Sequence, residues 1–350
     1  MKKRLGFITA LVILGLVAVL WPAAKPTHSV DTPARNVRMD EQQQSSNTAA
    51  TPAGAQSISV TEHIAEALPQ QFAYIAAAYE QELSYPPYSR PLTRDDVQLL
   101  TPNQYVVQQV PLENGAQAAI VLPQYRFIYP EDIEVVLTVA GVDASQVTVS
   151  LYSEDTGQRL TESTMQANEQ GFSTILSAEQ DWQGELRLEV AFRANGQPHR
   201  LQTGVDYQQP SAEIIGVKDG YAEGSDLVIP LQLEVSAAGT YRVRANLFSS
   251  KGEPLAHLVS SADLAEGEAT LLLRAYKAVL AGIEGPYLLN TFTVERRSPA
   301  PGERSRFGKS VQAEYQVAFY GLGLLSDEPW RPDASELQRL EFLKLMAEAQ

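Results

Sequence analysis

The sequence predicts a mainly β protein. The expected architecture is two tandem β-sandwiches with an N-terminal transmembrane helix, a short helical segment before the sandwiches and a C-terminal helix. Three observations predict this. A charge-free apolar run, in which only Thr9 is notably polar, fills residues 5–21. Apolar residues alternate with period two through much of residues 104–322. Spacings of three and four mark the flanks of that region. A chain of 350 residues has room for about two domains plus an anchor and a linker.

Residues 1–22 are read as the anchor. Leu5 to Trp21 carries no charge and sits at the lower end of transmembrane length. Lys2, Lys3 and Arg4 hold the N-terminus in the cytoplasm, Trp21 suits the far interface, and Pro22 ends the helix. The competing reading is a cleaved signal peptide. The run is longer than a usual signal core, and Pro22-Ala23-Ala24 lacks a clean small-x-small site, which favours a retained anchor. Either reading places residue 25 onward outside the cytoplasm. The expected location is the inner membrane, single-pass, with the bulk of the chain in the periplasm or outside.

Composition narrows the function classes. The formal charge is −15, and −18 once the three leading cations are set aside. Such a domain repels phosphate backbones and anionic lipid, so nucleic acid is excluded as a partner; it favours solubility and, weakly, basic partners or divalent cations. Cysteine is absent, which excludes disulfides, thiol catalysis, cysteine zinc sites and a lipidated cysteine.

Residues 23–60 are rich in Pro, Ser, Thr, Gln, Asn and Ala, and are expected to be a disordered linker. Residues 61–103 are read as a helical segment followed by an extended Pro-rich stretch. Ile64, Leu68, Phe72, Ile75, Tyr79 and Leu83 form one helical stripe, with a kink or restart expected at Pro69. Tyr85-Pro-Pro-Tyr88-Ser-Arg-Pro91 is extended, and either crosses a surface or serves in recognition. Thr93 and Asp96 resemble a capping box opening a short helix through Leu100.

Residues 104–207 are the first sandwich. Its strands are marked by Ile133, Val135, Leu137 and Val139, by Val147, Val149 and Leu151, and by Leu186, Leu188, Val190 and Phe192. Asp155-Thr-Gly157, Asn168 to Gly171 and Asn195-Gly196 are the turns, the last a strong hairpin signal. Residues 211–322 are the second sandwich. Alternation runs from Leu227 to Val235, from Tyr241 to Leu247, through Leu271 and Leu273, through Phe292 and Val294, and from Val311 to Phe319. A C-terminal helix is expected within 333–349, started by Asp333 and Glu336. Leu337, Leu340, Leu343 and Met346 form its stripe, which Phe342 and Leu345 widen beyond what a monomer is expected to bury.

Three segments of the second domain carry a resemblance: Asp219 to Asp226 (DGYAEGSD), Ala238-Gly239-Thr240-Tyr241 through Leu247, and Gly285-Pro286-Tyr287. They resemble the immunoglobulin-like module appended to bacterial secreted peptidases and surface proteins. The resemblance covers about 80 residues and implies an immunoglobulin-like sandwich with a non-catalytic, accessory or adhesive role. The family's acidic loop is usually denser in Asp. Here Tyr221, Ala222 and Ser225 dilute it, so a plain polar loop is favoured over a calcium site built on Asp219, Glu223 and Asp226.

Reactive constellations are not legible. His28, His63, His199 and His257 lack metal-ligand spacing, and no nucleophile elbow, phosphate loop or dinucleotide fingerprint occurs. Asp95-Asp96 reads as a helix start rather than an acid/base pair. Tyr125 to Tyr129 reads as a strand with core aromatics rather than a sugar platform. No catalytic, cofactor-binding or metal residue is therefore assigned. The expected role is a membrane-tethered scaffold that docks another envelope protein. The alternatives are a glycan- or peptidoglycan-binding module, then a hydrolase accessory or inhibitor.

Overall fold

The computed structural model describes residues 60–318 and 320–348, with side chains of the first helix described from Pro69 onward. The expected transmembrane segment, the linker ahead of residue 60, His28 and Phe319 lie outside the described residues. Among the described residues no helix is long and apolar enough to cross a membrane. The fold is mainly β, with a long helix at each end of the described residues.

Helix α1 spans Val60–Glu82 and carries Pro69 inside it, so the pattern does not restart there. Its packing face is turned slightly from the expected stripe. Ala76 is buried, whereas Ile75 is 47% exposed. The reason is its neighbour, since Ala76, Tyr79 and Leu83 pack on the C-terminal helix. The Pro-rich stretch then becomes strand β1 (Ser89–Pro91). The short helix α2 follows at Val97–Leu100. Asp96 accepts from both the Thr93 amide and hydroxyl at 2.7 Å, so it organises the turn ahead of α2, and the N-cap position of the helix is Asp96 rather than the expected Thr93.

Ten strands follow: β2 (Val110–Pro111), β3 (Gln117–Val121), β4 (Arg126–Ile128), β5 (Ile133–Ala140), β6 (Ala144–Ser153), β7 (Arg159–Thr164), β8 (Gln166–Asn168), β9 (Gly171–Leu176), β10 (Gly184–Ala194) and β11 (Gln197–Gln208). They make two five-stranded sheets of order β2-β3-β5-β9-β8 and β4-β11-β10-β6-β7. Alternation puts Ile133, Val135 and Leu137 from one sheet and Val149, Leu151, Leu188 and Val190 from the other into a single buried cluster. The β10–β11 turn is Asn195-Gly196, with φ of 51° and 77°, the positive pair a two-residue hairpin needs.

Nine more strands complete the sheets: β12 (Ala212–Val217), β13 (Tyr221–Glu223), β14 (Asp226–Val235), β15 (Gly239–Ser249), β16 (Pro254–Leu264), β17 (Gly267–Tyr276), β18 (Tyr287–Arg296), β19 (Arg306–Ser310) and β20 (Glu314–Val317). With β1 they form one ten-stranded sheet, in the path β1-β16-β15-β18-β19-β12-β14-β13, with β17 on β14 and β20 on β18. Strand β19 joins the two halves by pairing antiparallel with β18 and parallel with β12. Residues of β14 and β17 share one buried core with those of β15, β16 and β18. Two expectations are corrected here. The strand expected from Val311 is confined to Glu314–Val317, and Val311 is 59% exposed because residues 311–313 form a bend rather than a ladder. The extended stretch at Tyr85–Pro91 does not merely cross a surface, because Ser89, Arg90 and Pro91 pair in register with Leu258, His257 and Ala256.

The two β regions lock through specific contacts. The Arg126 guanidinium lies 3.3 Å from the Phe307 ring centroid and 3.0 Å from an Asp206 oxygen. The Phe307 amide donates to the Gln208 side chain at 2.9 Å, and Lys309 donates to the Tyr129 carbonyl at 3.1 Å.

Helix α3 spans Ala334–Glu348. It opens on a reciprocal capping box: the Glu336 amide donates to Asp333, and the Asp333 amide donates to the Glu336 carboxylate, both at 2.8 Å. The amide at Glu336 holds the Asp333 carboxyl below the usual carboxylate range. A lowered folded-state value means the contribution is present above the unfolded value and is lost as pH falls through the folded one. Asp333→Ala is expected to speed hydrogen exchange at the Glu336 amide above that range and to change nothing below it. Equal exchange rates in both proteins at neutral pH would contradict the cap.

Candidate functional site

Among the described residues, the histidines and the Tyr125–Tyr129 aromatics do not come together. His199 stacks on Phe192, with ring centroids 5.5 Å apart. His257 lies in the other β region, its Nδ1 2.7 Å from the Asn246 side-chain oxygen. Burial pushes the His257 imidazole below its ordinary value, and Arg244 and Arg90 add to that. The side chain of His63 is outside the described residues. In the Tyr125–Tyr129 segment, Phe127 enters the core, Tyr129 packs against it, and Tyr125 points outward, so the three make no platform.

The Asp219–Asp226 loop is engaged by cationic and phenolic partners. Glu223 accepts from Arg274 at 2.9 Å. Asp226 accepts from the Tyr88 hydroxyl at 2.8 Å, with Arg274 3.7 Å away. Asp219 is exposed. Among the described residues no three acidic or imidazole groups come together as a metal site.

These contacts form a clasp between the two flanks of the sheet. Tyr88 arrives with the strap that carries β1, and Trp330 meets its ring edge-on at 6.1 Å. The Trp330 amide donates to the Tyr276 hydroxyl at 3.0 Å, and the Tyr276 amide donates to the Ser89 hydroxyl at 3.0 Å. An open cleft of about 630 Å³ lies between Tyr88, Asp226, Tyr276 and Trp330. The Tyr88 and Trp330 rings stand 87° apart, whereas a sugar-stacking platform presents coplanar faces. The polar groups are mostly turned to one another, so the clasp reads as structural.

The clasp makes a pH prediction. Burial raises the Asp226 carboxyl above the ordinary range, against the lowering pull of Tyr88 and Arg274. A raised folded-state value means the native protein holds this proton more tightly than the unfolded chain. The resulting stability is full below the unfolded value, roughly pH 4, and is lost as pH rises through the folded value. Urea midpoints measured across that window are expected to fall more in the wild type than in Asp226→Asn. Parallel curves would contradict the assignment.

The second feature is the helix pair. Leu340 is the buried contact of α3, set among Ala76, Leu83, Tyr79 and Leu343. Lys344 donates to Glu80 at 2.7 Å, and the Arg339 guanidinium lies 6.0 Å from the Tyr79 ring centroid. Both cations of α3 are thus directed to α1. Leu337, Phe342 and Leu345 are 50%, 56% and 59% exposed. Helical spacing puts Phe342 and Leu345 on the side away from Leu340.

No family model matches the chain, and no curated protein matches it. Several solved structures show partial likeness. A DUF4785 family protein from Legionella pneumophila is 15% identical, with a TM-score of 0.39 over 52% of this chain and 53% of its own. A tetra-tandem repeat from the extending region of a large adhesion protein is 12% identical, with a TM-score of 0.24 over 60% and 55%. Escherichia coli alpha-2-macroglobulin activated by porcine elastase is 16% identical, with a TM-score of 0.22 over 57% and 22%. The chain thus spans about half the length of the first two. At these scores none of the three lends this chain a role.

Proposed function

We propose that this chain is a non-catalytic docking protein of the bacterial envelope. The 5–21 helix holds it in the inner membrane, and its two β regions are immunoglobulin-like sandwiches outside the cytoplasm. The observation that carries the reading is α3, whose Leu337, Phe342 and Leu345 remain exposed after the helix has packed on α1. Exposed side chains of this size, grouped on one element, mark a surface for another protein. The sandwich reading is supported by the two five-stranded sheets that share one core, and by the one buried core within the ten-stranded sheet. The immunoglobulin-like reading is supported by Tyr241 and Tyr287, which carry the resemblance. Both are fully buried, and each hydroxyl is within 2.7 Å of a main-chain carbonyl, Ser211 and Ile283 respectively.

The test is a crosslinking pull-down from native membranes. A protein partner is expected with the wild type and is expected to be lost with Phe342→Ser/Leu345→Ser, while the intact N-terminus stays in the membrane fraction. Recovery of no protein, together with retention on a polysaccharide matrix, would replace docking with glycan binding.

A further inference from the structure

We infer that the outward face of α3 takes a basic amphipathic helix of another protein, an inference that rests on the docking reading above. Charge is placed around an apolar patch on this face. Helix α3 contains three glutamates, Glu336, Glu341 and Glu348, against one lysine and one arginine. Those two cations are already committed to α1: Lys344 to Glu80, and Arg339 to the Tyr79 ring.

The outward side therefore keeps its carboxylates. Leu337, Glu341 and Leu345 form one row at four-residue spacing, with Phe342 in the adjacent row. Glu341 and Glu348 are exposed, and no ion pair engages either of them among the described residues. An apolar ridge of this width suits a helix that presents its own residues at spacings of three and four. The acidic flank selects a partner with lysines or arginines beside that stripe.

The same charge argues against the other occupants. A second copy of this chain would set Glu341 and Glu348 against the same carboxylates of its partner. An anionic membrane surface would be repelled by the flank and by a chain already at −15 overall.

The experiment uses the full-length chain in non-ionic detergent and a labelled synthetic helix of leucines and lysines in amphipathic repeat, read by fluorescence anisotropy. A peptide with glutamate in place of each lysine is the control. The Leu/Lys helix is expected to bind, and to bind more weakly as salt rises. Phe342→Ser/Leu345→Ser is expected to weaken it roughly ten-fold or more. Glu341→Gln/Glu348→Gln, which leaves the apolar ridge intact, is expected to weaken it roughly three- to ten-fold at low salt. The Leu/Glu helix is expected not to bind.

Equal binding of both peptides through Phe342 would overturn the basic partner and leave docking standing. Leu/Lys binding that ignores both double variants would be unspecific attraction and would overturn the inference. So would a Phe342-dependent dimer of the chain in sedimentation, or Phe342-dependent binding to phosphatidylglycerol vesicles. Binding of neither peptide would also overturn it, while the pull-down from native membranes judges docking separately.

Discussion

Gly308→Ala is expected to destabilise the protein by about 3 kcal/mol, because the sheet is stitched together at that residue. Strand β19 lies between β18 and β12. Gly308 pairs with Val294 on one side, and the neighbouring Lys309 pairs with Glu213 on the other. A Cβ at 308 would sit 2.1 Å from the Ala212 carbonyl oxygen and 3.0 Å from the Val294 side chain. The oxygen belongs to backbone and has no rotamer to move to. Strand β19 must therefore shift away from β12, and the junction with the first β region moves with it, since Phe307 and Lys309 make those contacts. Chemical denaturation reads the effect as a lowered midpoint. A midpoint equal to that of the wild type would show that the two halves are not held through this contact.

Trp182→Ala is expected to cost about 3–5 kcal/mol, the range for removing a large buried aromatic. Trp182 follows β9 in the loop that leads to β10, yet its ring is fully buried. It belongs to the cluster shared by the two five-stranded sheets and meets Tyr207 edge-on at 5.4 Å. The sheets cannot collapse far into the vacated space, because β10 and β11 are paired along their whole length. The loss should appear as a lower thermal midpoint. A change under 1 kcal/mol would mean the ring is not the plug it is taken to be.

The fold was legible wherever one face of a strand is buried and the other is not. Strands β5, β10 and β15 read directly, because each second residue is apolar and enters a core. One turn and one cap were legible for stereochemical reasons: Asn195-Gly196 adopts positive φ at both positions, and Asp333 with Glu336 closes a ring of two hydrogen bonds. Long-range pairing was not legible. Ser89-Arg90-Pro91 is too short to show a period, and its partner β16 lies over 160 residues away. Strand β19 is polar and carries the glycine that its two neighbours require, so no apolar alternation announces it. The Val311–Phe319 pattern misled because Val311 and Ala313 keep the spacing of a strand while their backbone bends.

The candidate site was legible in part for the same reason. Phe342 and Leu345 widen the apolar stripe of α3 in the sequence alone, and their exposure follows from the position of Leu340. That Leu337 also stays exposed, and that Arg339 and Lys344 turn toward α1, depends on where α1 packs. The clasp was hidden because Tyr88 and Asp226 are 138 residues apart.

The outward face of α3 is proposed as a docking surface. A photocrosslinking side chain placed at position 342 tests it most directly, with position 193 as the control; Arg193 is exposed on the β10–β11 hairpin, far from α3 in the chain. Irradiated native membranes are expected to give one discrete protein adduct from position 342 and none from position 193, and the adduct should disappear when Leu345→Ser is added. No adduct from position 342, or the same adducts from both positions, would contradict the account.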